Sequence, residues 1–146
     1  MVELSHLTRD DLTLLVPGFI RAFNEGEWQQ HWTEEAATVS LTELIDSPNF
    51  YGLVAKSDGQ PVGAILGRVR TFNTGRTYYI DELFVSPDFR KRGIAKQLYR
   101  RAIDELTEQG VGGAFFTTLR DSAAYHFYVS EGALDLTDSA VFYHPF

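Results

Sequence analysis

The sequence predicts a mixed α/β layer fold, a single domain over residues 1–146 with one central sheet flanked by helices. Helical and strand-like patterns follow one another along the chain, with no linker, repeat or low-complexity segment between them. Asp58-Gly59 separates two apolar runs and is a strong two-residue hairpin signal. A third apolar run ends at Ser86-Pro87 and leads through Gly93 into a long amphipathic stretch. The 44% hydrophobic content is enough for a sizeable core.

A strand can start at Val2–Leu4. Thr8 then caps a first helix, with Asp11 reaching back from the third helical position. Leu12, Leu15, Val16, Phe19, Ile20 and Phe23 recur at helical spacing, and Pro17 either kinks this helix or marks its start. Residues 24–32 read as a loop. Thr33 caps a second helix through Ile45, which Ser47-Pro48-Asn49 ends. Phe50–Lys56, Gln60–Phe72 and Thr77–Val85 form an antiparallel meander, turned at Asp58-Gly59 and Asn73-Thr74-Gly75. A helix over Gly93–Glu108 places Ile94, Leu98, Ala102 and Leu106 on one face. Ala114–Leu119 reads as a buried strand. Asp121 or Ser122 caps a last helix to Glu131, and Leu134–Leu136 and Ala140–His144 read as final strands.

Composition narrows the function classes. There is no cysteine, so disulfides, thiolate catalysis and cysteine-based zinc sites are excluded, and no metal is expected. No apolar run is long enough for a membrane span, and the N-terminus lacks the build of a signal peptide, so a cytoplasmic protein is expected. The formal charge of −7 argues against nucleic-acid partners and against an anionic membrane surface. It favours a cationic substrate mildly, and serves solubility equally well.

The most informative segment runs from Leu83, Phe84 and Val85 through the Pro87 turn to Arg90, Lys91, Arg92, Gly93, Ile94, Ala95 and Lys96. A helix N-terminus offers unpaired N–H groups and partial positive charge, which suits phosphate. Gly93 and Ala95 lack bulk, so a pyrophosphate can approach the backbone. The same residues would equally start an ordinary helix with solvated cations. The common nucleotide patterns G-x-x-x-x-G-K-[ST] and G-x-G-x-x-G are absent, as is the G-x-S-x-G turn of hydrolases.

Arg90-Lys91-Arg92-Gly93-Ile94-Ala95 resembles the R/Q-x-x-G-x-G/A signature of the GNAT superfamily of N-acetyltransferases. Tyr79–Pro87 resembles the preceding strand of that family, and Phe127–Ala133 resembles its F-Y-x-x-x-G-F/A stretch. The resemblance implies a sheet splayed at the cofactor site, with the pantetheine arm of acetyl-CoA bound along Leu83–Val85. It implies pyrophosphate contacts from the backbone of Arg90–Lys96 and further cofactor contacts at Asp121 and Ala124. Asp121 stands where the family often has asparagine; an anion there either weakens a cofactor contact or only caps the helix.

Acetyl transfer to an amine needs a proton acceptor, because a free alkylamine with a pKa of about 10.4 is mostly protonated at neutral pH. Glu82 is the first choice and Asp81 the second; strand alternation lets only one of them face a given pocket. The resemblance implies that Tyr128 is the acid near the cofactor sulfur. It also implies that Trp28 and Trp32 lie along the acceptor wall, where their rings would hold a cation or an apolar chain or simply pack on the sheet. The expected partner is an amine-bearing small molecule or peptide, and exposed strand edges leave room for a homodimer. A module that binds acetyl-CoA without turnover is the alternative.

Overall fold

A computed structural model describes residues Met1 to Phe146. In chain order the elements are β1 (Val2–His6), α1 (Leu12–Asn24), α2 (Glu34–Ile45), β2 (Phe50–Ser57) and β3 (Gln60–Phe72). They continue with β4 (Gly75–Val85), α3 (Ile94–Glu108), β5 (Val111–Phe115) and α4 (Ala123–Ser130). The chain forms two compact units, Met1–Phe116 and Thr117–Phe146. No helix is long and apolar enough to cross a membrane.

The first unit is built on a mixed sheet of order β1-β2-β3-β4-β5. Neighbours are antiparallel except β4 and β5, which are parallel because α3 crosses between them. Asp58 and Gly59 both take positive φ, 50° and 79°, as a tight turn matched to strand twist requires. The Thr8 N–H donates to Asp11 at 2.9 Å, so the expected cap forms, over a 3-10 turn at Arg9–Asp11. Pro17 neither starts nor ends α1, which runs on to Asn24. As the sixth residue of the helix it forfeits one i→i−4 bond, the one its N–H would have given to the Thr13 carbonyl.

One sheet face carries α1 and α2. Phe19, Leu15 and Leu41 pack with Val54, Ala64, Leu66 and Phe84, all nearly excluded from solvent. Phe19 meets the Phe23 and Phe84 rings at 5.0 and 5.4 Å. The other face carries α3, which buries Ile94, Leu98, Tyr99, Ala102 and Leu106 at the predicted spacing.

A polar network fixes α3 to the strands beneath it. Glu105 accepts from the Tyr51 hydroxyl at 2.6 Å, from Arg101 Nε at 2.8 Å, and pairs with His6 Nε2 at 2.8 Å. Arg101 also donates to the Leu4 carbonyl at 2.9 Å. Burial alone would raise the Glu105 pKa; the donors from Tyr51, Arg101 and His6 outweigh it and hold the carboxyl at about 2. A carboxyl depressed in the folded state stabilises the fold fully above its unfolded pKa, and that contribution fades as pH falls through the folded value. Thermal melts between pH 7 and pH 2.5 should therefore show Glu105→Gln costing about 2 kcal/mol at neutral pH and much less at pH 2.5. An equal penalty at both pH values would contradict this role.

The structure departs from the sequence reading near the C-terminus. The strand expected at Ala114–Leu119 lies at Val111–Phe115, and Gly112–Phe115 are exposed rather than buried. The ladder already begins before Ala114, where Gly113 pairs with Thr77. Leu134–Leu136 and Ala140–His144 form no strands, because strand preference needs a ladder partner and they have none. Val141, Phe142 and Tyr143 are at least 80% exposed. In this second unit Ser122, not Asp121, caps α4, accepting from the Tyr125 N–H at 3.1 Å. Asp135 receives Arg120 at 2.6 Å and the Tyr125 hydroxyl at 2.8 Å.

Candidate functional site

The turn between β4 and α3 has an open helix start. Thr33 and Ser122 cap α2 and α4 with side-chain oxygens, while α3 has no side-chain cap. Its first helical bond runs from Gln97 N–H to the Gly93 carbonyl at 3.0 Å. The N–H groups before it are left to an outside acceptor. Lys91 and Gly93 take φ of 63° and 76° in the turn that leads into the helix. A Cβ on Gly93 would project into space free of protein atoms, so the approach is clear. These features fit a pyrophosphate.

The cations of this turn have different partners. Arg90 donates to the Ala22 carbonyl at 3.1 Å, and Arg92 donates to the Asp88 carbonyl at 3.3 Å while lying 4.9 Å from the Phe89 ring. Arg21 of α1 holds Asp88 at 2.9 Å. Arg90 and Arg21 thus tie the turn to α1, while Lys91 and Lys96 are exposed. The Ile94 side chain is buried beneath the helix, so only its backbone faces outward.

Upstream, β4 pairs with β5 only from Arg76 to Tyr79. From Ile80 to Val85 that edge has no strand beside it, while the other edge pairs with β3 as far as Gly63↔Val85. The unpaired stretch lies where the family resemblance implies a splay. It leaves backbone donors and acceptors of Leu83 and Val85 open to an extended amide-bearing chain. Phe84 turns its side chain into the core.

The two strand acids sit on a bulge. Leu66 opposes Glu82 and Gly67 opposes Ile80, so Asp81 is the extra residue on β4. Arg68 opposes Tyr79 and binds Asp81 through Nε at 3.1 Å and a terminal nitrogen at 3.2 Å. Leu66 and Arg68, two residues apart, share a face, which places Glu82, Asp81 and Tyr79 on that face together. Strict alternation is therefore broken here: the bulge brings both acids to the α1–α2 side. They are nevertheless unlike. Asp81 is held by Arg68, whereas Glu82 has no hydrogen-bond or ion-pair partner. Burial first, and the Asp81 charge second, raise the Glu82 pKa to about 7. A carboxyl at that value can take a proton near neutral pH.

Arg68 and Gly67 escaped the sequence reading. An isolated glycine inside a strand pattern is the available sign of a bulge or close backbone approach. Trp32 packs on Phe19 at 5.0 Å and Trp28 on Phe23 at 5.7 Å, and both remain partly exposed. In the second unit Tyr128 is half-buried on α4 with its ring 5.3 Å from Phe127, Ala124 is half-buried, and Asp121 is exposed with φ of 64°. No group of three or more His, Cys, Asp or Glu side chains is placed to hold a metal ion.

Residues 18–132 match the model of the Acetyltransferase (GNAT) family. The chain is 26% identical over 104 residues to thialysine N-epsilon-acetyltransferase of Sus scrofa, a match covering 64% of this chain and 61% of that protein. The chain thus spans less than two thirds of that curated relative. Among solved structures, ribosomal-protein-alanine N-acetyltransferase from Brucella melitensis superposes with a TM-score of 0.78 at 20% identity, covering 100% of both chains. Aminoglycoside N-acetyltransferase AAC(6')-Iy in complex with CoA gives 0.77 at 18% identity, covering 99% of this chain and 95% of that one. At these identities the two structures share the fold.

Proposed function

Because the chain belongs to the acetyltransferase (GNAT) family, we propose that it transfers an acetyl group from acetyl-CoA to a primary amine of a small molecule or peptide. The observation that carries this reading is the uncapped start of α3, adjoining the unpaired edge of β4 and a carboxyl poised near pH 7. When bound, acetyl-CoA supplies a thioester carbonyl activated for attack by an amine. Backbone N–H groups from Arg90 to Lys96, with Lys91 and Lys96 beside them, would bind the pyrophosphate. The backbone of Leu83 and Val85 would bind the pantetheine amides as an added strand does.

Glu82 is the base in this reading and takes the ammonium proton, directly or through one water, so that the amine lone pair is free. Asp81 is the weaker candidate, since its pair with Arg68 already occupies the carboxylate. Its charge helps hold the Glu82 pKa up. As the bond from nitrogen to the acetyl carbon forms and the carbon–sulfur bond breaks, Tyr128 would give its proton to the departing sulfur and regain one from the amide nitrogen. Trp28 and Trp32, partly exposed over Phe23 and Phe19, would line the acceptor side. Asp121 and Ala124, at the start of α4, would contact the cofactor.

Calorimetry tests the cofactor site. CoA is expected to bind at least about tenfold more tightly than pantetheine, which lacks the phosphates. Equal affinities would contradict the anion cradle. Tyr128→Phe is expected to lower kcat by about tenfold or more, with acetyl-CoA binding retained. An unchanged kcat, followed by thiol release, would remove Tyr128 from the acid role.

A further inference from the structure

Beyond the acids, the same sheet face carries a row of side chains that the proposed chemistry does not use. Phe72 on β3, Tyr79 on β4 and Phe115 on β5 are neighbours across the strands, with ring centroids 6.1 and 5.5 Å apart. Phe72 and Phe115 are each 43% exposed, so the row is a continuous apolar strip open to solvent. Contiguous exposed rings of this kind mark binding surfaces more often than isolated ones do. The strip shares a face with Glu82, because Tyr79 opposes Arg68 and Arg68 holds Asp81 on the bulge.

Arg70 lies on this face as well. It is two residues from Arg68, opposes Thr77, and is exposed with no hydrogen-bond or ion-pair partner. Arg68 is neutralised by Asp81, which leaves Arg70 as the unmatched charge beside the rings. The row thus runs from Glu82 through Tyr79 and Phe115 to Arg70 and Phe72. Leu66, opposite Glu82, and Arg70 are four residues apart, about 13 Å along the strand, a distance that the Arg70 side chain can shorten by reaching back.

We propose that this row binds the body of the acceptor, and that the acceptor is an amine with an aromatic body and a carboxylate at its far end. The inference rests on the acetyl-transfer reading for where the amine goes. The rings would stack on the aromatic body, Arg70 would pair with the carboxylate, and the amine would lie toward Glu82. The local chemistry thus differs from the bulk charge of −7, which by itself favours a plain cation.

The test measures binding apart from turnover. CoA-loaded protein is titrated calorimetrically with 4-(2-aminoethyl)benzoate, 2-phenylethylamine, 6-aminohexanoate and hexylamine. The first is expected to bind about tenfold more tightly than either single-feature amine, and hexylamine weakest. Arg70→Met should bring 4-(2-aminoethyl)benzoate down to the affinity of 2-phenylethylamine. Phe72→Leu and Phe115→Leu, which keep apolar bulk, should weaken both aromatic amines together, with circular dichroism confirming the fold. Equal affinities for the four amines, or an Arg70→Met variant that keeps the carboxylate preference, would overturn the proposal. Thiol release from acetyl-CoA is measured separately. Preference without turnover would support the row while contradicting the catalytic reading, and turnover without preference would do the reverse.

Discussion

Glu82→Gln is expected to lower kcat/KM for acetyl transfer by about 10²–10³-fold, measured as thiol release at pH 8. The amide keeps the shape of the side chain and removes its capacity to take a proton. Calorimetric binding of CoA should be retained, since the carboxyl stands apart from the α3 start in sequence and in the β4 register. Stability should move the other way. A carboxyl whose pKa is raised in the folded state binds its proton more tightly there, so the fold loses stability as pH rises from the unfolded value toward about 7. The amide carries no such charge, and the variant should melt no lower than wild type at pH 8. A variant that is slow and also strongly destabilised would point to a structural role for Glu82 instead.

Gly67→Ala is expected to destabilise the fold by about 3 kcal/mol, lowering Tm by about 10 °C in a domain of this size. A Cβ on Gly67 would fall on the Tyr79 carbonyl oxygen and within 2.7 Å of Tyr78 Cε1. Neither can easily yield. Tyr79 lies in the β3–β4 ladder, and the buried Tyr78 hydroxyl donates to the Tyr51 carbonyl at 2.9 Å. Gly67 is therefore the residue that lets β4 bulge at Asp81. The substitution should disturb the acids as well as the core, lowering kcat/KM at temperatures well below its melting point. A variant with wild-type Tm, or one destabilised with full activity, would break this link between glycine and bulge.

Much of this arrangement is legible from local sequence. Thr33, Asp58-Gly59 and Gly93 each declare a cap, a hairpin and a helix start, because the chemistry that decides them lies within a few residues. The bulge is not, because it exists only in the pairing of two strands: Asp81 becomes an extra residue when Leu66 and Gly67 choose their partners. Alternation along β4 alone gives the wrong faces for the acids. Arg90 reads as a phosphate-facing cation until the fold brings it to Ala22, 68 residues away in sequence. The C-terminal strands fail for the opposite reason: Val141, Phe142 and Tyr143 favour strands locally and receive no neighbour.

In the proposed reaction the unpaired acid on β4 accepts the amine proton. The pH dependence of kcat/KM, recorded by thiol release with one amine for wild type and Glu82→Gln, tests it most directly. Wild type should rise through an apparent pKa near 7, because only the ionised carboxyl can accept a proton. The variant should lack that rise and keep only the limb set by the amine itself. The same limb near pH 7 in both proteins, or no thiol release from wild type at any pH, would contradict the account.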